Sequence, residues 1–147
     1  MLHEALLSAF HYMGGLVLFA ALAGQFMLLT PKVERERLRI LLLLNAQAGA
    51  ALLVVLVTGV FQFVRWGASM AYYLRNELFL TKMALCLAIL GLYLVILRVL
   101  WRAWRQGERL VSLPPRLSLA ARVVLLCLLM VPLLSAFVAR GMGISAY

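Results

Sequence analysis

The stretch that decides the fold is Ile40-Leu41-Leu42-Leu43-Leu44-Asn45-Ala46-Gln47-Ala48-Gly49-Ala50-Ala51-Leu52-Leu53-Val54-Val55-Leu56-Val57-Thr58-Gly59-Val60-Phe61-Gln62-Phe63-Val64. It holds no charged side chain, and Arg39 and Arg65 close its two ends. A helix needs about 20 apolar residues to cross the hydrocarbon of a bilayer, and this run is long enough. Strands are far shorter, typically about 5–6 residues. A helix also satisfies its own backbone N–H and C=O groups, which lipid cannot do. The run therefore reads as a transmembrane helix.

Working outward, three more apolar stretches follow the same rule. One precedes it, from Ala5 to Leu29, and includes His11 and Gln25. Another runs from Leu78 to Leu97 with Lys82 near its start, and the last from Val123 to Ala139 between Arg122 and Arg140. Residues 1–147 thus read as a single all-α domain with spans at about 5–29, 40–64, 78–99 and 120–139. Composition agrees: 13% of residues are charged and the mean hydropathy is +1.04. A soluble domain carries about 25% charged residues. Lipid is the solvent that accommodates so much apolar surface, so the bilayer is the first partner.

Short connectors favour an up-down bundle. The first is Pro31-Lys32-Val33-Glu34-Arg35-Glu36-Arg37, read as a charged turn. The second, Arg65 to Glu77, carries Trp66-Gly67 and Tyr72-Tyr73, aromatic content suited to a membrane–water interface. The third, Arg98 to Arg122, opens on Arg98, Trp101, Arg102 and Arg105, which extend the third span into the headgroups. Lys32, Arg35, Arg37, Arg39, Arg98, Arg102, Arg105, Arg109, Arg116 and Arg122 gather at the first and third connectors. Arg65, Arg75, Lys82 and Arg140 lie on the other side. Basic residues stay in the cytoplasm, so the first and third links are expected inside and both termini outside. The Ala21-Leu22-Ala23 sequence resembles a signal-peptidase site, but Met1-Leu2-His3-Glu4 lacks the basic start that a signal peptide has. The first stretch is read as a retained span.

The net charge of +9 would suggest nucleic acid in a soluble protein. Here it suits topology and anionic lipid headgroups on the cytoplasmic side, and no nucleic-acid motif accompanies it. Cys86 and Cys127 lie inside apolar runs without a CxxC pattern and read as small packing side chains. The scattered methionines read the same way. There is no Asp, no carboxylate within a span and no phosphate loop, which disfavours a proton-driven carrier.

Polar groups inside the bilayer want a partner or a purpose. With the orientation above, His11 sits roughly 8–9 Å in from the outer end of its span. Lys82 on the third span, Thr58, Gln62 and Arg65 on the second, and Ser135 and Arg140 on the fourth come toward the same level. His11 can act as a metal or haem-iron ligand or a proton carrier, or it can be a neutral imidazole bonded to Thr58, Gln62 or a carbonyl. His3, two turns earlier, is expected in the wet interface. Lys82 can turn inward as the cation for a carboxylate, or snorkel to the headgroups. With Arg65, Arg75 and Arg140 it would bound a basic pocket for an anion such as a propionate or lipid phosphate. Toward the cytoplasm, Gln25, Asn45 and Gln47 are expected to form interhelical amide hydrogen bonds among small residues. Pro132 is expected to kink the fourth span.

His11 followed by small residues, Leu28-Leu29-Thr30-Pro31, Thr58-Gly59, Trp66-Gly67, Tyr72-Tyr73-Leu74-Arg75-Asn76, Phe79 to Lys82 and Ala139-Arg140-Gly141 together resemble a bacterial inner-membrane family. That family is known as domain of unknown function twenty-two fourteen, and the likeness spans almost the whole chain. It implies a multi-pass protein of the bacterial inner membrane. More distantly the layout is similar to HemJ-type protoporphyrinogen oxidases and CopD-type membrane domains. The HemJ likeness implies haem b, with a histidine in the first helix and a lysine opening the third, which here are His11 and Lys82. His11, Lys82, Gln62 and Arg140 are then the cofactor-binding candidates, with His11 on the metal. The expectation is a haem- or porphyrin-binding redox-related protein. The alternatives are a non-catalytic structural or assembly subunit with membrane-protein partners, and a metal permease.

Overall fold

A computed structural model describes residues 2–66 and 70–143, without the side chains of Trp66 and Met70. Gly67, and with it part of the expected Trp66-Gly67 interface motif, lies outside the described residues. The elements in chain order are α1 (Leu2–Leu28), β1 (Lys32–Glu34), α2 (Arg35–Trp66), α3 (Met70–Leu74), α4 (Glu77–Arg105), β2 (Leu110–Ser112) and α5 (Arg116–Ala139). Among the described residues four helices, α1, α2, α4 and α5, are long and apolar enough to cross a membrane. α2 and α4 continue past their apolar runs into the arginine-bearing flanks. These side chains carry apolar stems that can lie along the helix while the guanidinium reaches water.

The helices form a ring in chain order. α1 packs closest to α2 and α4 to α5, while α1–α5 and α2–α4 contacts close the bundle. Two features went beyond an all-helical reading. The first and third connectors pair as an antiparallel two-stranded ribbon, with Val33 opposite Val111. Both valines are buried, at 0% and 2% exposure, so the ribbon is a plug under the helices and not a loose turn. Arg35 fastens it: its guanidinium lies 4.8 Å from the Trp104 ring, and Nη1 donates to the Gly107 carbonyl at 2.8 Å. Pairing puts the first and third connectors at one end, as an up-down bundle requires.

The second feature is α3, which folds the other connector back onto the opposite end. Tyr73 packs between Phe63 and Phe79, with ring centroids 4.9 Å and 4.6 Å away. Tyr72 meets Tyr73 edge-on and its hydroxyl donates to the Val138 carbonyl at 3.5 Å. Asn76 caps α4 by accepting from the Phe79 amide at 3.0 Å, and its own amide donates to the Met142 carbonyl at 3.0 Å. The Glu77 amide donates to the Gly143 carbonyl at 3.0 Å. The chain after α5 is thereby latched to the start of α4. Pro132 sits inside α5 without ending it.

Burial is uneven along the bundle. The core residues Leu18, Leu22, Leu38, Leu41, Ile96, Leu100 and Val124 concentrate toward the ribbon. Toward the aromatic end the helices present more surface, and the buried residues there include polar ones, Thr58 and Asn76.

Candidate functional site

The α1–α2 register can be followed from close contacts. A Cβ at Gly24 would touch Leu44 at 3.6 Å, and one at Gly14 would meet Val55 at 3.0 Å. One further step toward the aromatic end brings His11 onto Thr58 and Gly59. The His11 Nδ1 to Thr58 Oγ1 distance is 2.9 Å. Thr58 donates its own hydroxyl proton to the Val54 carbonyl at 2.6 Å. With that proton spent on a carbonyl, Oγ1 is left to accept, which suits the His11 tautomer protonated on Nδ1. Gly59 keeps the ring in place from beside it, since a Cβ there would stand 3.3 Å from His11 Cε1. Metal-ligating histidines usually have their second nitrogen held in this way.

Lys82 lies on α4, half-buried, within electrostatic reach of His11 and of Cys86. Lys82 and Cys86 share one face of α4, being four residues apart. Cys86 comes as deep into the bundle from the start of α4 as His11 from the start of α1, both nine residues in. In the sequence this thiol reads as a packing side chain; its spacing of four from Lys82, the one cation inside an apolar stretch, is the feature that sets it beside that cation. Gln62, one turn beyond Thr58 on α2, has a buried Nε2 with no hydrogen-bond partner among the described residues. The Phe63, Tyr73 and Phe79 rings, from α2, α3 and α4, pack together and cap this end. His11, Thr58, Lys82 and Cys86 thus form one polar cluster at the aromatic end, with Gln62 one turn further along α2.

Other expected members stand apart. Arg140 is exposed and its backbone caps α5; its side chain makes no hydrogen bond or ion pair among the described residues. Arg65 and Arg75 are also exposed, so the structure does not draw a closed basic pocket around Lys82. His3 is exposed, two turns from His11. Ser135 spends its hydroxyl on the Val131 carbonyl of its own helix at 2.8 Å. No group of three His, Cys, Asp or Glu side chains placed to hold a metal ion occurs among the described residues.

The second polar level, nearer the ribbon, differs from the expected amide glue. Gln25 and Asn45 come level on α1 and α2 and are 1% and 0% exposed. All four of their side-chain polar atoms lack a hydrogen-bond partner among the described residues. Tyr93 of α4 instead donates to the backbone carbonyl of Asn45 at 3.1 Å. Gln47 is not part of this level at all, because it points out of the bundle and is exposed. Residues 45 and 47 are separated by about 200° around a helix, so one inside means the other outside.

Four membrane-crossing helices around two polar levels define a polytopic membrane protein. The chain belongs to the family described as "Predicted membrane protein (DUF2214)", whose family model matches residues 3–143. No curated protein and no solved structure matches the chain.

Proposed function

We propose that the cluster at the aromatic end binds a carboxylate-bearing tetrapyrrole, and that the chain is a haem- or porphyrin-handling membrane protein. The observation that carries this reading is the His11–Thr58–Val54 chain of hydrogen bonds, which holds the ring through Nδ1 and makes Nε2 the nitrogen that would meet an iron. His11 would hold a haem iron through this nitrogen, and the iron would supply redox chemistry when bound. Lys82, close to His11, is the cation suited to a propionate in a medium of low dielectric. Gln62, one turn beyond Thr58 on α2, offers a buried amide donor. The fit extends to one strong nitrogen ligand; Cys86 is the nearby soft group.

A second reading is favoured by that single nitrogen. A chain with one ligand can serve as a non-catalytic structural or assembly subunit of a larger membrane complex. A metal permease would need a ladder of ligands across the bundle, which the described residues do not provide.

In this reading the ribbon end faces the cytoplasm, where its arginines meet anionic lipid headgroups, and both termini face outward across the bacterial inner membrane. The polar cluster then lies in the outer half of the bilayer.

The test is a spectrum. The chain, produced with ample haem and purified in detergent, is expected to show a Soret band that His11→Ala abolishes. Thr58→Val, which keeps the side-chain shape and removes the acceptor, should weaken haem affinity by about tenfold. A colourless protein that takes up no haem on titration, or a band unchanged in His11→Ala, overturns the proposal and leaves the subunit reading.

A further inference from the structure

We infer that the outward face of α2 is the contact surface for a second copy of this chain, centred on Gln47. α2 turns Leu38, Leu41, Asn45, Ala48 and Leu52 inward. The opposite face presents Leu43, Ala46, Gln47, Ala50, Leu53 and Val57, all exposed and falling within one arc of the helix. Gln47 lies seven residues past Ile40, about 10 Å into the apolar stretch, too deep for its short side chain to reach the headgroups. Its carboxamide makes no hydrogen bond among the described residues, and the backbone around it is already paired within α2. Lipid tails cannot supply what it lacks.

An identical chain can. A carboxamide is both donor and acceptor, so two of them are complementary to each other. Two copies inserted with the same topology bring Gln47 to the same depth. A two-fold axis along the membrane normal then lets each Nε2–H donate to the other Oε1. Ala46 and Ala50, four residues apart on the same face, allow the backbones to come close enough for these short side chains to meet. The face carries no charge from Ile40 to Val64, so nothing on it repels its copy. The outward strip of α4, with Ala84, Ala88 and Gly91, is also small but has no polar group in want of a partner.

Association is measured by energy transfer between donor- and acceptor-labelled full chains in phosphatidylcholine–phosphatidylglycerol vesicles, diluted progressively with lipid. Transfer is expected to follow a monomer–dimer isotherm, and Gln47→Leu should weaken it by about tenfold, the effect of roughly 1.4 kcal/mol from two reciprocal amide bonds. Replacing an amide that faces lipid by leucine leaves the bundle interior untouched, so a loss of transfer is not a loss of fold. In a background of Cys86→Ser and Cys127→Ser, Ala50→Cys should give a disulfide-linked dimer on oxidation, whereas Leu87→Cys on the outward face of α4 should not. A monomer at every dilution, transfer unchanged by Gln47→Leu, or cross-linking at Leu87 as efficient as at Ala50 each overturns the inference. None of these results depends on haem.

Discussion

At the scale of single residues, the bundle is held close by side chains that leave no room. Gly49 on α2 faces Tyr93 of α4: a Cβ there would overlap the hydroxyl and stand 3.2 Å from Cζ. Tyr93 is 8% exposed and its hydroxyl is bonded to the Asn45 carbonyl, so it cannot swing away freely. Alanine is the better helix former by about 1 kcal/mol, yet overpacking a filled interface costs about 1–3 kcal/mol. Gly49→Ala is therefore expected to lower the thermal unfolding midpoint in detergent. Adding Tyr93→Phe, which removes the overlapped oxygen, should recover most of the loss. If Gly49→Ala unfolds at the parental temperature, the close approach of α2 and α4 is refuted. His11 belongs to the same scale. Its presence in an apolar run was visible in the sequence, but its partner was not, because that is a hydroxyl 47 positions away.

At the scale of elements, the four long helices were legible because a charge-free run admits little else. The additions to them were not. Lys32–Glu34 and Leu110–Ser112 are too short to show an alternating pattern, and each becomes a strand only because the other lies beside it. The latch at the opposite end is of the same kind. Asn76 begins α4 as an ordinary N-cap would, yet it also holds the Met142 carbonyl, a contact across 66 residues. Gly143 completes the latch with φ +89°, a conformation glycine adopts readily; a Cβ would stand 2.7 Å from Leu78 and 2.8 Å from Asn76 Oδ1. Asn76→Ala removes both bonds from a fully buried position and should destabilise the chain by about 1–2 kcal/mol. Thermal unfolding reads the stability. Carboxypeptidase should also trim the chain after Ala139 faster than in the parent, and equal rates would show that the latch does not hold this segment.

At the scale of the whole molecule, the basic residues divide between the two ends. The ribbon end carries Lys32, Arg35, Arg37, Arg39, Arg98, Arg102, Arg105, Arg109, Arg116 and Arg122, against the exposed Arg65, Arg75 and Arg140 at the other. Reporter fusions are expected to place Arg109 in the cytoplasm and Trp66 outside. The opposite result would move the His11 cluster to the inner half of the bilayer. In either orientation the ribbon ties the two helical hairpins together at one end and the aromatic cap joins α2, α3 and α4 at the other.

Four membrane crossings are legible in the order of residues alone, because transfer of apolar surface to lipid depends on composition along each segment and not on what the segment touches. The sequence also marked His11, Lys82 and Gln62 as costly in lipid. Tertiary structure decided which polar groups meet. It set His11 on Thr58, brought Lys82 within electrostatic reach of His11 and Cys86, left Arg140 exposed, and separated buried Asn45 from outward-facing Gln47. Those outcomes depend on helix rotation and register, which are fixed by close packing at positions such as Gly14, Gly24 and Gly49 and are not written in any single apolar run.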